Sequence, residues 1–296
     1  MKKETFDSII KKNLVEEYGK DQFGYKIIEK NTERNYENYY TEAAFNDFLE
    51  TMASPKYKKY YESYAEGKGS ELKRQKGRYG EMPPKMASVA SSSRFCYLAL
   101  RNGTDALGFK GSVKFEKECA INGITGIAPQ LDAFIPEKDI YVEAKCHEIF
   151  DSHKAKLKIK YWDLFYRENN EFGFDAKNKK SEEYFEIPLS CFGIKKDYIR
   201  FDIKQFLCHL IGIASQKGAN NSKSLMYLFF KPQTDNEEQQ KELDAVFNGL
   251  AEEIKVIFES EPVRKFTEKN NIKLCAIAEY AKTMCALSTE NIIALV

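Results

Sequence analysis

Asp132, Glu143 and Lys145 are the residues whose types and spacing point most directly to chemistry. They lie in two short runs of alternating apolar residues, Gln130–Ile135 and Ile140–Cys146, on either side of Pro136-Glu137-Lys138-Asp139. That pattern predicts a β-hairpin. With the turn centred between Glu137 and Lys138, antiparallel pairing places Asp132 opposite Glu143, and the period of two sorts the side chains. Leu131, Ala133 and Ile135 share an apolar face with Ile140, Val142 and Ala144; Gln130, Asp132 and Phe134 share the other with Tyr141, Glu143 and Lys145. Two carboxylates directly opposite across a hairpin repel each other, and a divalent cation between them reverses the sign of that interaction. Carboxylate oxygens suit Mg2+, which takes one or two carboxylates and completes its shell with waters and phosphate oxygens. Lys145 falls on the same face, where an ammonium orients a water or offsets negative charge on a phosphate. Asp followed by Glu-x-Lys on the next strand is therefore a pattern suited to cleaving a phosphodiester.

Pro129-Gln130-Leu131-Asp132 followed by Glu143-Ala144-Lys145 resembles the motif of the PD-(D/E)XK nuclease superfamily. In this chain the proline stands three residues before Asp132 rather than immediately before it. The resemblance implies an α/β (α+β) fold with a restriction-endonuclease-like αβββαβ core and a mixed central sheet. It implies Asp132 and Glu143 as ligands of Mg2+ (with Mn2+ able to substitute), the Ala144 carbonyl as a third ligand, and Lys145 beside the attacking water. Asp202-Ile203-Lys204-Gln205 with His209-Leu210-Ile211-Gly212 also resembles a segment in a group of bacterial proteins placed in this superfamily as restriction endonucleases. That likeness makes Gln205 a candidate catalytic residue, bonded to phosphate or to Lys145. It also makes double-stranded DNA the expected substrate, with a homodimer and a methyltransferase as candidate partners.

Composition sets bounds on these expectations. The chain has 296 residues, 43% of them hydrophobic, and a net charge of +1, so no global field advertises a polyanionic partner. A single domain over 1–296 is expected, with its core at about 86–232, a helical N-terminal extension over 1–85 and a C-terminal extension over 233–296. The seven scattered cysteines read as reduced thiols of a cytoplasmic protein. No targeting segment and no membrane span are expected. With His147, His153 and His209 the only histidines, a zinc centre is not expected.

The elements that must position the hairpin follow from periodicity. Residues 5–18 and 42–52 read as helices. Residues 55–78 interleave tyrosines with Lys56, Lys58, Lys59, Lys73, Arg74, Lys76 and Arg78. Lys58, Lys59, Lys73, Arg74, Lys76 and Arg78 are candidate nucleic-acid contacts; the blander alternative, which carries more weight, is an amphipathic helix with packed tyrosines and solvated lysines. Residues 67–69 and 77–84 read as loops. Met86–Leu100 reads as the helix before the sheet, and Val113–Ile121 as its first strand. On that strand Glu116 and Glu118 share a face, and either is a further acid near the metal or both are part of a solvated face. Glu148, just past the hairpin, is a second candidate at the rim. Residues 149–200 read as an insertion over one side of the core, with Lys154–Trp162 either strand or helix and Glu168–Glu183 a loop. Asp202 caps a helix carrying Ile203, Phe206, Leu207, Leu210, Ile211 and Ala214 on one stripe, and Ser224–Lys231 reads as a strand buried on both faces. Glu237–Ser260 is an amphipathic helix, Ile272–Ala281 a strand or the start of a last helix, and the apolar Ile292–Val296 docks on the body or joins a dimer interface.

These readings converge on a metal-dependent endonuclease. The alternatives are a catalytically silent nucleic-acid-binding or protein-interaction module on the same fold, and a surface cluster of charges in an unrelated α/β protein.

Overall fold

Leu225–Phe230 is a run of six consecutive buried apolar residues, and it forms the middle of the central sheet. The computed structural model describes residues 1–29, 32–67, 71–77, 80–107, 110–121, 128–161, 184–217, 222–287 and 292–296. Its helices are α1 (Lys3–Tyr18), α2 (Glu42–Ala53), α3 (Lys58–Glu66), α4 (Ser92–Leu100), α5 (Ile203–Ala214), α6 (Glu237–Glu259) and α7 (Glu261–Asn270). Its strands are β1 (Phe23–Glu29), β2 (Thr32–Tyr40), β3 (Gln75–Gly77), β4 (Gly80–Met82), β5 (Lys114–Glu118), β6 (Gln130–Ile135), β7 (Ile140–Lys145), β8 (Lys156–Lys158), β9 (Tyr184–Glu186), β10 (Lys223–Pro232), β11 (Ile272–Ala281) and β12 (Ile292–Ala294).

Six strands make one mixed sheet in the order β12-β11-β10-β7-β6-β5. β5, β6 and β7 form an antiparallel meander, β10 runs parallel to both β7 and β11, and β12 closes the far edge antiparallel. A strand with parallel neighbours on both sides is buried on both faces, which explains the uninterrupted apolar run of β10. The hairpin register pairs Ile135 with Ile140, Phe134 with Tyr141 and Ala133 with Val142. Extended by one position, it sets Asp132 across from Glu143.

The two faces of the sheet carry different helices. Phe95 of α4 packs on Phe230 with ring centroids 5.4 Å apart, while Phe206 of α5 packs on Tyr227 at 6.3 Å. Alternate residues of β10 point to opposite faces, so α4 covers the side of Val142 and Ala144 and α5 covers the side of Glu143 and Lys145. Asp202 caps α5 by accepting from the Gln205 N–H at 3.0 Å. Gly212 lets α5 approach closely: a Cβ there would lie 3.0 Å from the Cβ of Cys119 and 3.2 Å from its carbonyl oxygen.

Several expectations need correction. The N-terminal extension is not purely helical; β1/β2 and β3/β4 are antiparallel ribbons within it, and the second lies in part where a loop was expected. The helix read over Met86–Leu100 begins only at Ser92, because Ser91 takes the cap by accepting from the Arg94 N–H and a 3₁₀ turn fills Lys85–Ala87. β5 is shorter than Val113–Ile121. Within Lys154–Trp162 a three-residue strand forms, β8, paired with β9; Trp162 and the loop expected over Glu168–Glu183 lie outside the described residues. Ile272–Ala281 resolves as a strand, and the C-terminal segment docks on it as β12. The seven cysteines are free thiols. No helix among the described residues is long and apolar enough to cross a membrane.

The close approach at Gly212 yields a prediction. Gly212→Val must push α5 off a backbone carbonyl that cannot yield as a side chain tip would. It should cost about 1–3 kcal/mol, measured by urea denaturation; a midpoint equal to the wild type would contradict this packing.

Candidate active site

The face of β6 and β7 that carries the polar residues ends in an open cleft of about 500 Å³. Asp132, Glu143, Lys145, Gln205, Glu116 and Glu148 all line it. Glu143 and Lys145 are two apart on one strand and so share a side; Gln205 arrives from the first turn of α5. The Lys145 Nζ donates to Glu143 Oε1 at 2.6 Å and to Gln205 Oε1 at 2.7 Å. The Gln205 Nε2 donates to the same Glu143 Oε1 at 2.8 Å. The three side chains therefore form a closed triangle of hydrogen bonds. Asp132 is tied separately: its Oδ2 accepts from the Ala144 N–H at 2.7 Å, taking up a backbone donor beyond the last residue pair of the hairpin ladder.

Electrostatics in the cleft are dominated by acids. The pairs Phe115–Ala133 and Lys117–Leu131 flank the position where Glu116 faces Asp132, so Glu116, Asp132 and Glu143 occupy one row across three strands. Burial, then the charge of Glu143, pushes the Asp132 carboxyl well above the usual range, against the pull of Lys145 and the Ala144 N–H. Burial, with the charge of Glu71, raises Glu116 to about 7. Burial alone would pull the Lys145 ammonium down, but Glu143, Glu148 and Asp132 more than reverse this and hold it above the ordinary lysine value. Lys145 is thus a protonated donor at neutral pH. His209 lies with Nε2 3.7 Å from Glu143 Oε2. Burial lowers its pKa despite Glu143, which leaves it a neutral imidazole rather than a counter-charge.

Glu116 has a positive φ of 56°, a conformation that costs a non-glycine residue energy and concentrates at functional sites. Glu148 accepts from the Cys146 N–H at 2.8 Å and stands at the rim. His147 pairs with Asp7 of α1 at 2.9 Å, a structural tie to the N-terminal helix.

Sequence reasoning missed Glu71, Lys85 and the serines at the start of α4, all of which line the cleft. Glu71 is buried, bonded to Lys85 Nζ at 2.8 Å and Ser93 Oγ at 3.1 Å. A lone acid in a loop carries no local signal; only long-range packing brings it here. The N-terminal basic residues stand elsewhere. Lys58, Lys59, Lys73, Arg74 and Lys76 are absent from the cleft wall, and Arg78 lies outside the described residues. Arg74 is engaged by Glu42 at 2.8 Å and Glu81 at 3.3 Å, Lys58 pairs with Glu62 at 3.8 Å, and Lys59 sits 4.7 Å over the Tyr60 ring.

Among the described residues no group of three or more His, Cys, Asp or Glu is placed to hold a metal ion.

The raised Glu116 pKa fixes the sign of a pH effect. Between about 4.5 and 7 the folded chain keeps a proton that the unfolded chain releases, so this group stabilises the protein at low pH and the contribution is lost as pH rises through 7. In EDTA, wild type should lose stability relative to Glu116→Gln by on the order of 2 kcal/mol between pH 5 and pH 7.5. Parallel stability–pH curves for the two proteins would show that Glu116 ionises normally.

The chain matches no family model, no curated protein and no solved structure.

Proposed function

We propose that the chain is a metal-dependent endonuclease of the PD-(D/E)XK kind, hydrolysing phosphodiester bonds in double-stranded DNA. The observation that carries this reading is the meeting of Glu143, Lys145 and Gln205 in one hydrogen-bonded triangle beside Asp132, at the wall of an open cleft. What supports it is the order of elements: α4, the antiparallel strands β5, β6 and β7, then, after β8 and β9, α5 and the parallel strand β10, an order compatible with the αβββαβ core that the resemblance implies. DNA as substrate, and a restriction role, follow from the resemblance of the residues around Asp132, Glu143 and Gln205.

Burial, and after it the charge of Glu143 on Asp132 and of Glu71 on Glu116, raises both carboxyls, and a divalent cation beside them would lower both. Asp132 and Glu143 would hold it, with the Ala144 carbonyl as a further oxygen donor. When bound, Mg2+ or Mn2+ offsets charge on the scissile phosphate and makes a coordinated water more acidic. Lys145 stays protonated, so it orients the attacking water and offsets charge developing on the phosphate; it does not take the water's proton. Gln205 is a positioning residue: its amide donates to Glu143 and accepts from Lys145, fixing both side chains at once.

Supercoiled plasmid cleavage with Mg2+, Mn2+ or EDTA tests the proposal. Metal-dependent cutting should fall by about 10²–10³ in Glu143→Ala and Lys145→Ala, and by about 10–100 in Gln205→Ala, with each variant still folded by circular dichroism. Full cutting by Lys145→Ala would remove the mechanism. Metal-independent DNA binding with no cutting of any DNA tried would select the silent binding module instead.

A further inference from the structure

Lys154, Lys156 and Lys158 alternate with Ala155 and Leu157 along β8 and the residues leading into it. Ala155 and Leu157 are each 1% exposed, so the ribbon of β8 and β9 packs through them and turns its lysines outward. On β9, Glu186 pairs with Lys156 and Tyr184 with Lys158. Lys158 and, from the first turn of α5, Lys204 stand over the Tyr184 ring at 5.5 and 5.9 Å, while Lys154 stands over the Tyr198 ring at 5.2 Å. Lys154, Lys195, Lys196 and Tyr198 also line an open concavity of about 450 Å³. Acids offset part of this charge: Glu186 bonds Lys154 at 2.9 Å, Glu253 lies 3.4 Å from Lys196, and Asp197 lines the concavity. Lys156, Lys195 and Lys204 are exposed and have no acid partner among the described residues.

Residues 55–78 bury their tyrosines, with Tyr57, Tyr60 and Tyr64 at 9% exposed or less, whereas Tyr184 and Tyr198 are 55% and 52% exposed. Lysines that repel one another, interleaved with exposed phenols, complement a phosphate backbone: the ammoniums displace its counterions, and the phenols bond phosphate and sugar oxygens. The surface also adjoins the cleft. Lys204 immediately precedes Gln205 in α5, and His153, next to Lys154, lines a small cavity together with Lys145 and Gln205. We propose that the β8–β9 ribbon and Lys204 form a track for the DNA backbone, holding the duplex outside the cleft on the α5 side of the scissile phosphate. The choice of DNA as the partner rests on the nuclease reading of the cleft. Contacts of this kind fix register and add affinity without reading sequence.

The test is fluorescence anisotropy of a labelled duplex of about 30 base pairs, titrated in EDTA from about 50 to about 200 mM KCl. Lys156→Ala/Lys158→Ala/Lys204→Ala, checked for folding by circular dichroism, should bind about tenfold or more weakly, with the slope of log affinity against log salt shallower by about 2–3. Lys26→Ala/Lys241→Ala/Lys273→Ala removes the same charge from exposed positions on α6, β1 and β11 and should change the slope by less than about 1. Equal slopes in wild type and the ribbon variant, or the same loss in both triple variants, would overturn the proposal, as would wild-type binding to anionic lipid vesicles but not to the duplex. Plasmid cleavage separates the two readings. Unchanged binding by the ribbon variant, in a protein that cuts, would remove the track alone; no binding and no cutting by wild type would remove the nuclease reading and the track with it.

Discussion

The carboxylate of Glu143 is buried, with a side chain only 5% exposed, and the site depends on what keeps it there. A buried charge is tolerated only when it is paired and hydrogen-bonded. Lys145 supplies the opposite charge from the same strand and Gln205 supplies a second donor from α5. Neither partner is sufficient alone, because Lys145 itself must be satisfied, and Gln205 does so with its carbonyl oxygen. The position of α5 is therefore an electrostatic requirement as much as a packing one. Gly212, two turns further along the same helix, permits the approach that delivers Gln205.

That arrangement balances one carboxylate and leaves others over. Asp132 and Glu116 share the row with Glu143, Glu148 stands at the rim, and Glu71 is paired with Lys85. The Lys145 ammonium is bonded to Glu143, while burial first, and neighbouring acid charge second, raises the carboxyls of Asp132 and Glu116. A fold selected for stability alone would replace such acids with apolar residues at little cost. The strained backbone at Glu116 adds to the same impression of stability given up for a site. The apolar strand β10 and the helices on both faces supply the compensating burial.

Much of the centre of the molecule was legible from local pattern. The period of two gave the hairpin faces, and the turn position gave the register that sets Asp132 across from Glu143. Asp202 announced its helix because a capping carboxylate is a short-range device. The buried run of β10 reflects a strand with parallel neighbours on each side. What stayed hidden depended on distant contacts. β2 (TERNYENYY) has polar residues on both faces, so its pairing with β1 leaves no clean alternation. Glu71 reaches the cleft through loop packing. The basic residues of 55–78 had the composition of a nucleic-acid surface, but local acids and rings engage Lys58, Lys59 and Arg74. Composition alone cannot distinguish a charge that is free from one already used.

The central claim is the proposal that Asp132 and Glu143 would hold a divalent cation, and Mn2+ binding followed by electron paramagnetic resonance tests it most directly. Wild type should bind Mn2+ with Mg2+ competing, and Asp132→Asn should weaken that binding by about tenfold or more, with both proteins shown folded by circular dichroism in EDTA. Equal Mn2+ binding by wild type and Asp132→Asn, or none by either at millimolar concentration, would contradict the account.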